Sequence, residues 1–149
     1  MAYGAILIGF ASAIAVLLTD GNIIHTIIYA ASLPLKAMPQ AIAAVFMFYI
    51  NLVFNFFVSS ASGQAAIVMP IMTPLADVVG LTRQVAVLAY QYGDGLSNTI
   101  IPTSGVLMAA LGVAGVPFSK WLKFQVPLFL VWTGICTVVM IVAVLIGYH

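Results

Sequence analysis

The segment from Gln84 to Gly115, "QVAVLAYQYGDGLSNTIIPTSGVLMAALGVAG", carries one charge, Asp94, in 32 residues. As unbroken helix it would rise about 48 Å, well beyond the roughly 30 Å hydrocarbon core of a bilayer. Its centre holds Gly93, Gly95, Pro102 and Gly105, with Ser97, Asn98, Thr99, Thr103 and Ser104 between them. Glycine and proline interrupt helices, and Ser, Asn and Thr side chains offer the freed backbone other partners. The pattern predicts two half-helices, about 84–92 and 105–115, around an unwound middle. Inside a bilayer such backbone is tolerated only where protein or a water-filled cavity satisfies it.

Composition fixes the solvent. Of 149 residues, 64% are hydrophobic and 5% charged, and mean hydropathy is +1.24. Soluble domains carry about a quarter charged residues, so this chain cannot cover a core with polar surface. It reads as an integral membrane protein. Lys36, Arg83, Lys120 and Lys123 stand against Asp20, Asp77 and Asp94, with no basic tract for nucleic acid. The single cysteine, Cys136, excludes an internal disulfide and a cysteine-based metal cluster. The N-terminal "MAYGAILIGFASAIAVLLTD" lacks a basic leader and is read as a spanning helix, Ala2 to about Leu18. Within Thr19–Pro39, "NIIHTIIYAASL" suits a helix lying in the interface. A last apolar block runs from Val126 to Gly147.

Another block, "QAIAAVFMFYINLVFNFFV", meets the polar tip "SSASGQ" and continues as "AAIVMPIMTPLADVVGL". The arm from Ala65 to about Ala76 would rise only about 18 Å as helix, too short to span. A re-entrant hairpin over about 40–77 fits, turning on Ser59, Ser60, Ser62, Gly63 and Gln64. One ordinary span followed by a surface loop and a short helix is the alternative. Asn51 and Asn55, four residues apart, share a helical face and would line a cavity or bond a neighbouring helix.

"SGQAAIVMP" and "SNTIIPTSG" echo each other, each a Ser-led polar tip running to proline. Two interrupted hydrophobic segments are the pattern of a transporter site. Pooled hydroxyls, amides and free carbonyls can replace the hydration shell of Na⁺, while half-helix N-termini favour an anionic group. Asp94 would complete a cation site, carry a proton, or hold the backbone of the break.

These stretches, with "VAVLAYQYGDGLSNTIIPTSGVLMAALGVAGVPFSKW", resemble the C-terminal part of the C4-dicarboxylate anaerobic carrier family, especially its YfcC-like branch, within the ion transporter superfamily. The resemblance covers essentially all of the chain. It implies one half of an inverted-repeat transporter, with a re-entrant hairpin and a broken helix. It implies a hairpin-tip motif at Ser60, Ser62, Gly63 and Gln64. The broken-helix motif falls on Gly93, Asp94, Ser97, Asn98, Thr99, Pro102 and Thr103. In Na⁺-coupled members such elements hold cation and substrate, which would put Na⁺ at Ser62, Asn98 and Thr99. Members of the family are several times longer and contain two such halves, so an N-terminal-half partner or another copy is expected.

Simpler roles exist for several of these residues. Ser97, Asn98 and Thr99 would cap the second half-helix, and Asp77 and Arg83 would mark an interfacial turn. His25 has no partner at i+4 for a metal. Ser62 in "SASG" is similar to a rhomboid-type nucleophile, but the downstream histidine is only His149. "YGD" at 92–94 is similar to an aspartyl intramembrane protease motif, but Gln91 stands where Gly belongs and no second membrane carboxylate is placed. A non-transporting membrane subunit is a third class. The expectation is an all-α, polytopic transporter domain over 1–149, in a bacterial inner membrane, without enzyme activity or resident cofactor. It would move a small organic anion such as a C4-dicarboxylate with Na⁺ or H⁺, or exchange basic amino acids, and "SKWLK" would form a cytoplasmic loop.

Overall fold

The computed structural model describes Leu35 and residues 37–148. The expected first span, the interfacial helix, Lys36 and His149 lie outside the described residues. Five helices follow: α1 (Gln40–Phe54), α2 (Ala61–Val79), α3 (Arg83–Ser97), α4 (Gly105–Ala114) and α5 (Phe118–Leu145). Among the described residues every element is helical, as the apolar blocks require.

α1 and α3 form the central pair, α2 and α5 pack around them, and α4 stands largely apart. On α3 the buried positions are Val85, Ala86, Ala89, Tyr90, Gly93, Asp94 and Ser97. That spacing is one helical stripe, apolar at its start and polar at its end. It faces Ala43, Ala44, Met47, Phe48 and Asn51 of α1. Small residues let two backbones approach closely. Gly93 is the extreme case: a Cβ there would lie 2.6 Å from Asn51 Cβ and 2.8 Å from the Leu52 nitrogen.

α1 and α2 form a helical hairpin. Gln40, the first residue of α1, donates from Nε2 to the carbonyl of Gly80 just beyond α2, at 3.0 Å. Farther along, Gln64 Nε2 reaches the Asn51 carbonyl at 3.2 Å. The two open ends therefore lie on one side, and the turn Asn55–Ser60 lies on the other. Gly80 ends α2 in the left-handed region (φ 79°), while the Leu81 N–H bonds back to the Ala76 carbonyl at 2.9 Å. A two-point pairing of Arg83 with Asp77, 3.1 and 2.8 Å, sits at the turn into α3, as the sequence suggests.

The second arm corrects the sequence reading. It begins at Ala61 and continues through Pro70 and Pro74 to Val79, 19 residues, or about 28 Å. Proline is tolerated in membrane helices where neighbouring groups satisfy the freed carbonyls. Shortness therefore belongs to α1, whose 15 residues rise about 22 Å. The break also moves. α3 runs helically through Gly93, Asp94 and Gly95 to Ser97, and the non-helical stretch is Asn98–Ser104. The tight Gly93 contact stabilises helix there where the sequence suggested unwinding. Finally, "SKWLK" is not a loop but the first turns of α5, a 28-residue helix of about 42 Å. Pro117 precedes its first residue, and proline's fixed φ suits a helix start.

Candidate functional site

The polar tip of the hairpin and the broken segment meet. Ser59 Oγ donates to the Thr103 carbonyl at 2.7 Å, and Thr103 Oγ1 donates back to the Phe56 carbonyl at 3.0 Å. Deeper in, Asn55 Nδ2 donates to Ser97 Oγ at 2.7 Å and to the Asp94 carbonyl at 3.2 Å. Tyr90 on α3 donates its hydroxyl to the Ala61 carbonyl at the start of α2. Four side chains thus stitch the hairpin to the second element.

The Ser-Asn-Thr stretch works differently from its expected role. Ser97 Oγ donates to the Gly93 carbonyl, Asn98 Nδ2 to the Asp94 carbonyl at 2.9 Å, and Thr99 Oγ1 to the Leu96 carbonyl at 2.7 Å. The last carbonyls of a helix have no intrahelical partner. The Asn98 and Thr99 side chains therefore help the backbone N–H groups of residues 98–101 close the end of α3. Ser97 bonds back within the helix, and the residue before α4, Ser104, makes no side-chain cap bond. Asn98 Nδ2 also reaches Asp94 Oδ1 at 3.0 Å, so the buried carboxylate, 7% exposed, has a local donor.

A cavity of about 660 Å³ opens beside this junction, lined by Ser59, Ser60, Ala61, Asn98, Thr99 and Ser104, with the first turns of α4 and Trp121 completing the wall. Two helices begin on it. Ser60 caps α2, accepting from the Gly63 N–H, and α4 begins just after Ser104. Helix starts offer unpaired N–H groups and the positive end of the dipole, which suits an anion. Two buried acceptors, Asn55 Oδ1 and Gln64 Oε1, have no hydrogen-bond partner, and both residues are fully buried. Both touch one atom, the Asn51 carbonyl, through the Asn55 N–H at 3.0 Å and Gln64 Nε2. Unpaired buried oxygens are costly unless a donor or cation meets them.

Of the residues expected at the site, Ser60, Asn98 and Thr99 line the cavity. Gly63 sits beneath Ser60, with room for a Cβ only at 3.3 Å from Ser60 Oγ. Gln64, Asp94 and Ser97 are buried in the adjoining network. Gly93 is a packing contact one turn before Ser97. Pro102 is exposed in the break, and Thr103 bonds the tip. Ser62 is exposed on the first turn of α2 and is not a lining residue. Sequence reasoning left Tyr90, Trp121 and Gln125 out of the site; it named Ser59 in the tip and Ser104 in the break without assigning either to the site motifs, and Asn55 entered only through its spacing from Asn51. A glutamine at 125 within an apolar helix was the one readable signal. Among the described residues, no three His, Cys, Asp or Glu side chains come together as a metal cluster.

A model of the C4-dicarboxylate anaerobic carrier family matches residues 1–145. The chain belongs to that family. It is 46% identical over 150 aligned residues to YfcC of Escherichia coli K12, provisionally named a basic amino acid antiporter, covering 97% of this chain and 30% of that protein. An uncharacterized protein of Haemophilus influenzae is 33% identical, covering 83% of this chain and 24% of that one. The crystal structure of the YdaH transporter of Alcanivorax borkumensis superposes with a TM-score of 0.80 over 93% of this chain and 31% of that one, at 19% identity. That likeness establishes a transporter fold. The chain spans less than a third of the length of the curated relatives it matches. As a member of this carrier family it is a membrane protein, with α2 and α5 long and apolar enough to cross a bilayer.

Proposed function

We propose that the chain forms a C-terminal part of a secondary transporter of the bacterial inner membrane, less than a third of such a protein's length. It moves a small carboxylate-bearing solute, either an organic anion such as a C4-dicarboxylate or an amino acid, coupled to Na⁺ or H⁺. The observation that carries this reading is a cavity on which two helices begin, adjoining a buried polar network that holds two unpaired acceptors. The helix starts meet a carboxylate. Hard oxygen donors meet a desolvated Na⁺. Asn55 Oδ1 and Gln64 Oε1 join Asn98 and Thr99 as candidate cation ligands, and Asp94 supplies charge or a proton beside them.

Basic amino acid exchange is the second reading, favoured by the 46% identity to YfcC. An amino acid also presents a carboxylate to the same helix starts. In either case we take the hairpin as re-entrant because its polar tip meets the break through Ser59 and Thr103, the pattern of a transporter site. An N-terminal-half partner or a second copy covers the apolar groove of Phe46, Tyr49, Ile50, Val53, Phe54 and Phe57, which supplies the missing repeat interface.

The test is uptake of succinate and of arginine into proteoliposomes of the full-length protein, with and without an inward Na⁺ gradient. Asn98→Ala removes the donor to Asp94 and should abolish Na⁺-dependent uptake while membrane insertion is kept. Full uptake in that variant would remove the proposed site.

A further inference from the structure

The donors around the cavity are unevenly free. Ser59 gives its hydroxyl proton to the Thr103 carbonyl, Asn98 gives its amide to Asp94, and Thr99 gives its hydroxyl proton to the Leu96 carbonyl. Trp121 donates Nε1–H to the Thr99 carbonyl at 2.9 Å. Gln125, one turn on, donates to Thr99 Oγ1 at 3.0 Å. Among the lining side chains this leaves the hydroxyls of Ser60 and Ser104, and each stands at a helix start. The remaining wall is carbon: Val106, Leu107, Ala110 and the indole of Trp121. Among the described residues, no lysine or arginine lines the cavity.

A carboxylate needs several N–H or O–H donors once it leaves water. The two helix starts can serve one such group. A second carboxylate would face an indole whose only donor is spent and whose ring face is electron-rich, which repels anions and attracts cations. The two bonds to Thr99 hold α5 against the break, so the ring is fixed in place.

We infer that Trp121 is the specificity-determining residue of this cavity: it receives the far end of a solute that bears one carboxylate and a cationic tail, and so disfavours dicarboxylates. The inference rests on the transport reading above and chooses between its two solutes. The aliphatic stem of such a solute lies along Val106, Leu107 and Ala110, with the cation over the indole. Gln125 is a positioning residue, acting through Thr99.

The experiment compares arginine and succinate in proteoliposomes of the full-length protein, unaltered and carrying Trp121→Leu or Trp121→Phe. Arginine should be the better substrate. Trp121→Leu should raise its KM about tenfold with maximal rate retained, and Trp121→Phe, which keeps a ring, should raise it less. As a binding readout independent of flux, arginine should alter the part of the tryptophan emission that Trp121→Phe removes, and succinate should not. A preference for succinate, or an arginine KM indifferent to Trp121→Leu, overturns the inference and leaves transport standing. Absence of binding and uptake for both solutes overturns the transport reading, and this inference with it.

Discussion

Replacing Gly93 by alanine separates packing from helix breaking. In a helix Gly→Ala ordinarily stabilises by about 0.5–1 kcal/mol, because the flexible residue loses more freedom on folding. At Gly93 the new methyl would sit 2.6 Å from Asn51 Cβ, 2.8 Å from the Leu52 nitrogen and 3.0 Å from the Asn51 carbonyl carbon. Carbon contacts settle at about 3.5–4.0 Å, so α1 must retreat by about 1 Å. These neighbours are backbone, or a Cβ fixed to it, and cannot rotate away. The Asn55–Ser97 bond, 2.7 Å and one turn from the contact, would open beyond hydrogen-bonding distance. Overpacking contributes about 1–3 kcal/mol of destabilisation, and a buried amide left unpaired about 1–3 kcal/mol. Against the helix gain, a net loss of about 1–5 kcal/mol is expected. Gly95 is the control, since a Cβ there meets nothing within 4 Å; Gly95→Ala should stabilise by about 0.5–1 kcal/mol. The assay is equilibrium unfolding of both variants in mixed micelles. Gly93→Ala as stable as Gly95→Ala would refute the close-approach argument.

Two further outcomes follow from the network. Ser59→Ala and Thr103→Val each remove one of the two bonds joining tip and break; each should destabilise by about 0.5–1.5 kcal/mol, and a double-mutant cycle should give a non-zero coupling. Strict additivity would show that the two bonds act independently. Asn55→Leu removes one unpaired acceptor and one donor; the Na⁺ concentration for half-maximal uptake should rise at least about tenfold, and an unchanged Na⁺ dependence would exclude Asn55 as a ligand.

Much of the fold is readable from periodicity and length. The 32-residue run cannot cross a bilayer unbroken, so an interruption near Pro102 follows from the sequence alone. What does not follow is its position. Gly93 and Gly95 look like breakers by propensity, but tertiary contact overrides propensity: one glycine packs on α1, and the other rides in intact helix. The same logic hid the start of α2, because "SSASGQ" looks like pure turn until Ser60 is seen capping a helix that already includes Ser62, Gly63 and Gln64. Trp121 entered the sequence reading only as part of the expected "SKWLK" loop. Its bond to Thr99 spans 22 residues of sequence, and no local pattern announces such a contact.

The end of α3 has a further consequence. The carbonyls of Asp94, Leu96 and Ser97 at that end are met by the backbone N–H groups of residues 98–101, with the Asn98 and Thr99 side chains doubling two of those bonds, so these carbonyls need no outside group to hold them in shape. A ligand arriving at such a break has little backbone left to order, and less of its interaction is consumed in ordering. Affinity and speed of release can then be tuned by the lining side chains alone, with the scaffold beneath them unchanged.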